Sequence, residues 1–144
     1  MSIETLACPC GGMAQTVKLP DTRHQPDSKA YINCCGRYLD GDETAPTAEA
    51  LMRSRYTAYT QDRANYLLIT WHHSTRPTSL ELASEPPRKW LGLAVKRHEQ
   101  TASDHALVEF IARYKIAGRA YRLHEISRFI CESGQWFYVD GDIL

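Results

Sequence analysis

The stretch Ala45-Pro-Thr-Ala-Glu-Ala-Leu-Met-Arg-Ser-Arg-Tyr-Thr-Ala-Tyr59 carries the one long helical period of the chain, and the reading of the fold starts from it. At about 100° per residue, Ala48, Leu51, Met52, Arg55, Tyr56 and Tyr59 share one face, while Arg53, Ser54 and Thr57 share the other. A helix with one broad apolar stripe requires a sheet or further helices against it. Thr44 or Thr47 supplies the N-cap, and Pro46 is tolerated in a first turn. Arg55 lies at the centre of the stripe, where an unpaired guanidinium is not tolerated.

Downstream, Gln61-Asp62 break the stripe, and Asp62 is expected to cap a short second helix through Ala64, Tyr66, Leu67 and Leu68. Trp71 and the loop His72-His73-Ser-Thr-Arg-Pro77 follow. Neighbouring histidines rarely aim at one ion, so the pair reads as loop. Leu80-Glu-Leu82 adds a turn of helix before Pro86-Pro87 end it. From Trp90 the period changes to alternation. Leu91, Leu93 and Val95 share a face of a first strand; Val108, Phe110, Ala112 and Tyr114 share a face of a second, with Glu109, Ile111 and Arg113 opposite. A turn at Ala117-Gly118-Arg119 leads to Leu123, Glu125, Ser127 and Phe129, and one at Glu132-Ser133-Gly134 leads to Trp136, Tyr138 and Asp140. Helices first and an antiparallel meander afterwards predict an α+β domain over residues 41–144, with helices on one face of the sheet.

Upstream, residues 1–40 hold Cys8-Pro-Cys10-Gly-Gly12 and Cys34-Cys35-Gly36, joined by polar sequence with neither helical nor strand period. Such a segment has no core of its own. Tetrahedral, structural zinc held by Cys8, Cys10, Cys34 and Cys35 fits soft ligands in a closed site, and the glycines allow amides to turn toward sulfur. The alternatives are unliganded thiols or one disulfide; adjacent Cys34 and Cys35 are poorly placed to bridge. His24 is an alternative fourth ligand, though it stands alone in the loop, and Cys131 reads as a small buried hydrophobe. The start Met-Ser-Ile-Glu-Thr-Leu-Ala-Cys lacks a basic, apolar leader, and no run approaches a membrane span, so a cytoplasmic protein is expected. Seventeen basic and seventeen acidic residues give zero net charge, which disfavours nucleic acid as a partner despite Lys18, Arg23, Lys29 and Arg37 near the cysteines.

Cys8-Pro-Cys-Gly11 with Cys34-Cys35 resembles the SEC-C zinc motif. Ala48 to Tyr59, Tyr66-Leu-Leu-Ile-Thr-Trp71, Glu109-Phe-Ile-Ala-Arg-Tyr114, Glu125-Ile-Ser-Arg-Phe129 and Trp136-Phe-Tyr-Val-Asp-Gly141 together look like the YchJ family, over nearly the whole chain. The resemblance implies a cone like that of nuclear transport factor 2, with helices closing over the concave face of a curved sheet. Many members carry a second SEC-C segment at the carboxyl end, which this sequence, running to Leu144, does not contain.

Relatives of that fold hold a pocket between helix and sheet, some with a carboxylate as general base. The residues expected around it are Arg55, Tyr56, Tyr59, Trp71, Tyr114, Glu125, Ser127, Trp136 and Tyr138. Alternation puts Glu125 on the face that meets the helix, so an Arg55–Glu125 ion pair is expected to fix helix against sheet and leave Glu125 little basicity. The leading reading is a binding or adaptor module, with the knuckle facing a protein partner and the cone as scaffold or holder of a small molecule. The alternative is an enzyme of isomerase, cyclase or hydrolase type using Glu125, or less readily Asp140, as base.

Overall fold

Alternation after Trp90 folds as a four-stranded antiparallel meander, β1 (Arg88–Ala102), β2 (His105–Ile116), β3 (Arg119–Glu132) and β4 (Gln135–Ile143), in chain order across the sheet. This computed structural model describes residues 6–12, 30–82 and 86–144. The two tight hairpins have local causes. Ala117-Gly118 (φ 50° and 81°) and Ser133-Gly134 (φ 53° and 78°) both place two successive residues in the left-handed region, the conformation that matches the twist of the flanking strands.

Two bulges reassign faces that strict alternation gets wrong. Trp90 pairs with Tyr114 and Gly92 with Arg113, which leaves Leu91 as the extra residue. Trp90, Leu93 and Val95 therefore pack toward the core, and Leu91 is 47% exposed rather than sharing the face of Leu93. On the other side of the sheet Phe129 pairs with Tyr138 and Arg128 with Asp140, so Val139 is extra. That shift turns Asp140 to the outer face, where it accepts from Arg128 Nε at 2.5 Å, and brings Gly141 opposite Ser127. Asp140 is thereby removed as a candidate base.

Above the sheet lies α2 (Ala48–Thr60), capped by Thr47, whose Oγ1 accepts from Ala50 N at 3.0 Å. Before it come a 3-10 turn, Tyr31–Asn33, and α1 (Gly36–Leu39); after it comes α3 (Ala64–Ile69). Asp62 does not cap α3. It sits at φ 56°, reversing the chain after α2, and Arg63 precedes α3 without a side-chain cap. Leu80-Glu81-Leu82 form no helix. The backbone of residues 70–72 runs parallel to β4: His72 N donates to Tyr138 O at 2.7 Å and Tyr138 N to Thr70 O at 2.9 Å. No helix among the described residues is long and apolar enough to cross a membrane.

The polar face of α2 is buried as well, against expectation. Ser54 and Thr57 are both 0% exposed. Short hydroxyl side chains permit this, because they find acceptors within or beside the helix: Ser54 Oγ donates to Leu51 O at 2.7 Å and meets Tyr66 Oη at 2.7 Å. Arg53 reaches the cysteine segment, donating through Nη1 to Cys10 O (3.0 Å) and Gly12 O (3.3 Å), while Nε pairs with Glu49 at 2.9 Å. The cysteines, α2 and the inner sheet face thus form one continuous core cluster.

The bulge at Leu91 has a mutational signature. Leu91→Lys should change stability by less than about 0.5 kcal/mol, whereas Trp90→Ala should cost about 3 kcal/mol. Urea unfolding of the two variants checks this. The opposite order would show that Leu91, not Trp90, faces the helix.

Candidate metal centre and ligand pocket

The first site is the meeting of two cysteine pairs. Tyr31 N donates to Leu6 O at 2.7 Å and Ala7 bridges Ala30, so the backbone brings the amino-terminal segment beside the turn that precedes α1. Cys8, Cys10, Cys34 and Cys35 are all buried, and their four Sγ atoms lie within 4.8 Å of one another. None of the four is in a disulfide. Gly11 and Gly12 take φ 88° and 81°, as expected of residues that aim amides at sulfur, and Gly12 N donates to Cys10 Sγ at 3.3 Å. Gly36 serves otherwise: it is helical, and a Cβ there would meet Tyr31 O at 2.7 Å.

The donor set fits a soft, closed metal site. Hydrogen bonding with Cys10 holds Cys8 far below the ordinary thiol value and Cys34 down to about 7, while the contact with Cys34 pushes Cys10 up and that with Cys10 pushes Cys35 up. Four thiolates this close repel one another unless a cation lies between them. His24, Lys18, Arg23 and Lys29 lie outside the described residues.

The second site is a cavity of about 200 Å³ between α2 and the sheet. Arg55, Tyr56, Tyr59, Glu125, Ser127 and Tyr138 line it, joined by Met52, Arg88, Trp90, Phe110, Ala112, Leu123 and Phe129. Three of the expected residues stand elsewhere. Tyr114 stacks on Tyr121 with ring centroids 5.4 Å apart, Trp71 lies behind Tyr138 at 5.0 Å in an edge arrangement, and Trp136 lines a separate hollow with Tyr38 and Thr70. Trp90 escapes a reading by alternation because of the bulge. Arg88 escapes it because it precedes the pattern; its guanidinium lies 4.5 Å from the Tyr114 ring and 5.5 Å from that of Trp90.

The expected Arg55–Glu125 ion pair does not form. Arg55 Nη1 donates to Leu67 O and Thr70 Oγ1, both at 2.7 Å, and the guanidinium lies 5.1 Å from the Trp71 ring and 4.6 Å from that of Tyr138. Two neutral acceptors and two ring faces satisfy what a carboxylate was expected to satisfy. Burial pushes Arg55 down to about 10, still a cation at neutral pH. Glu125 instead accepts from the hydroxyl of Ser127. Its carboxylate occupies the space over Gly141, where a Cβ would come within 2.5 Å of Oε2. Burial, followed by the charge of Glu125, pushes Tyr138 up to about 12, so its hydroxyl stays protonated.

The paired histidines do approach a carboxylate. His72 Nε2 lies 2.8 Å from Glu132 Oε1, and the His72 and His73 rings are 4.2 Å apart. Ser74 N donates to His72 Nδ1 at 3.2 Å, which leaves Nε2 as the protonated nitrogen that donates to Glu132. That arrangement ties the loop to β3 and leaves no free lone pair on His72 for an ion.

Because Arg55 and Glu125 have separate partners, their losses should add. Arg55→Met should destabilise by about 3 kcal/mol, through the stranded Leu67 and Thr70 acceptors, and Glu125→Leu by less than about 1 kcal/mol. A double-mutant cycle in denaturant reads the coupling. Recovery of stability in the double variant would restore the direct pair.

Comparison with known proteins places this architecture. The family described as YchJ, middle NTF2-like domain, matches residues 47–141. A UPF0225 protein of Polaromonas naphthalenivorans is 54% identical over 139 residues, covering 96% of this chain and 98% of its own, and one from Methylibium petroleiphilum is 52% identical over 130 residues, covering 87% and 95%. The solution structure of a SEC-C motif containing protein from Rhodopseudomonas palustris superposes with a TM-score of 0.73 at 31% identity, covering 82% of this chain and 94% of that one. A crystal structure of a SEC-C motif containing protein from Psychrobacter arcticus gives a TM-score of 0.71 at 25% identity, covering 100% and 86%. The chain therefore belongs to the YchJ-like UPF0225 family, with a SEC-C motif before an NTF2-like domain.

Proposed function

We propose that this protein is a zinc-bearing binding module whose cone holds a small molecule, with the metal fixing the cysteine segment against the helix that roofs the pocket. One observation carries the reading: the space between α2 and the sheet is open, about 200 Å³, and presents Arg55, Glu125 and Ser127 among aromatic walls. A scaffold with no ligand would fill that space with side chains. Zinc is the metal that best matches four buried cysteines in a closed set, and it would act structurally, since all four positions are taken by protein. Leu6 (47% exposed) and Ile32 (46% exposed) beside the cysteines support a protein partner docking on the knuckle, with the cone as its carrier.

A second reading is favoured by Glu125 alone. A carboxylate in an open pocket, oriented by Ser127 and given room by Gly141, is placed as a general base for an isomerase, cyclase or hydrolase reaction on a bound molecule. Among the described residues no histidine lines the cavity to act as its complementary acid, although the Tyr138 hydroxyl is a protonated donor there. Binding without chemistry therefore leads.

Metal analysis of freshly reduced protein should find one zinc per chain. Apparent zinc affinity in such sites supplies about 10–16 kcal/mol, so Cys10→Ser or Cys35→Ser should lose the metal and lower the melting temperature, while far-UV circular dichroism keeps the sheet signal. Protein that is reduced, folded and free of stoichiometric metal sinks the zinc assignment. The pocket is tested separately, by NMR with single-ring fragments: shifts clustered on Tyr56, Trp90, Phe110 and Phe129 are expected, and none there would leave a scaffold.

A further inference from the structure

We infer that the pocket takes a compact organic acid, its carboxylate held by Nε and Nη2 of Arg55 and its far-end hydroxyl or amine held by Glu125. This rests on the pocket reading above and names the class of molecule.

Arg55 is 5% exposed, yet only Nη1 is used within the protein; among the described residues Nε and Nη2 have no hydrogen-bond partner, and the side chain lines the cavity. A buried guanidinium without a counter-anion is costly, and its free donors form the planar fork that matches a carboxylate. The fork is already oriented. The Trp71 and Tyr138 rings lie 5.1 and 4.6 Å from it, and the two acceptors on Nη1, Leu67 O and Thr70 Oγ1, fix its rotation. Ordering that a ligand would otherwise have to induce is thus complete before it binds.

Glu125 is the negative group that opposes an anion here, and its position decides the polarity of the ligand. It forms no ion pair with Arg55 and is bound to Ser127 over Gly141, so the lining offers free donors and a separate acceptor. Arg88 is a second cation on the lining, which makes the charged side chains of the cavity net positive. A simple apolar ligand would leave both charged ends unmatched. A dication would meet two guanidinium groups. At about 200 Å³ the space suits a single ring or a chain of similar size, below the ~300–1,000 Å³ usual for drug-sized ligands. Tyr56, Trp90, Phe110 and Phe129 supply the apolar walls.

The test uses the full, metal-loaded chain and three probes of one shape: benzoate, 4-hydroxybenzoate and benzamide. Titration followed by the arginine side-chain Nε–H resonances should show benzoate binding at least about tenfold more tightly than benzamide, as expected of a charge-assisted fork, with the Arg55 resonance moving. The 4-hydroxy group should add a further severalfold gain. Glu125→Gln should remove most of that gain without weakening benzoate. Arg55→Lys, if it folds, should lose the preference for benzoate over benzamide; the wild-type comparison stands without it. Equal binding of benzoate and benzamide, or a benzoate site away from Arg55, overturns this inference and leaves the pocket reading intact. Failure of all three probes to perturb the cavity overturns both.

Discussion

The structure depends on covering one thirteen-residue helix from two sides. A lone layer of sheet would bury Met52, Arg55 and Tyr56 and leave Ser54 and Thr57 in water; instead both are fully buried, because the cysteine segment and α3 lie on the far side. That far layer includes a short segment with little apolar surface of its own, held by the 6–7 to 30–31 pairing, by Arg53 and by the sulfur cluster. Cys8 Sγ lies 3.8 Å from Thr57 Oγ1, so the cluster is part of the helix's packing rather than an appendage beside it. The cluster and the pocket consequently sit on opposite sides of the same helix.

Within that sandwich the arginine is accommodated by neutral groups. A buried ion pair gains Coulomb energy but loses the hydration of two charges, and often barely breaks even. Here the hydration of one guanidinium is replaced by a helix-end carbonyl, a threonine hydroxyl and two aromatic faces, and the carboxylate stays separate, bound to a serine. The two opposite charges thus line one cavity without pairing.

Much of this was legible in the chain itself. The helix, the four strands and both tight hairpins follow from period and turn chemistry, and the inner face of β3 reads directly as Leu123, Glu125, Ser127 and Phe129, all of which line the cavity. Two misplaced faces share a cause. A bulge inserts one residue, so the residues on its two sides no longer share one alternation, and nothing in Trp90-Leu91-Gly92 or Tyr138-Val139-Asp140 beyond the glycine marks the insertion. The partner of Arg55 was hidden for another reason: a carbonyl acceptor has no side-chain identity to search for. Ser54 and Thr57 looked solvent-facing by polarity, but the Ser54 hydroxyl bonds back to its own helix and that of Thr57 meets Cys8 Sγ, so both are accommodated in the interior.

The pairing of residues 70–72 with β4 has a consequence for the edge of the sheet. An open meander exposes two rows of unpaired backbone groups, each able to template pairing with another copy of the chain. On the β4 side this strip takes up Tyr138 N and O, and Thr75 Oγ1 donates to the carbonyl of the bulged Val139 at 2.6 Å. The β1 side is guarded differently, by three breaks in its register and by Arg88, Lys89, Lys96 and Arg97 along its length. Among the described residues, neither margin is thus the long, flat, regular ribbon that most readily templates edge-to-edge pairing.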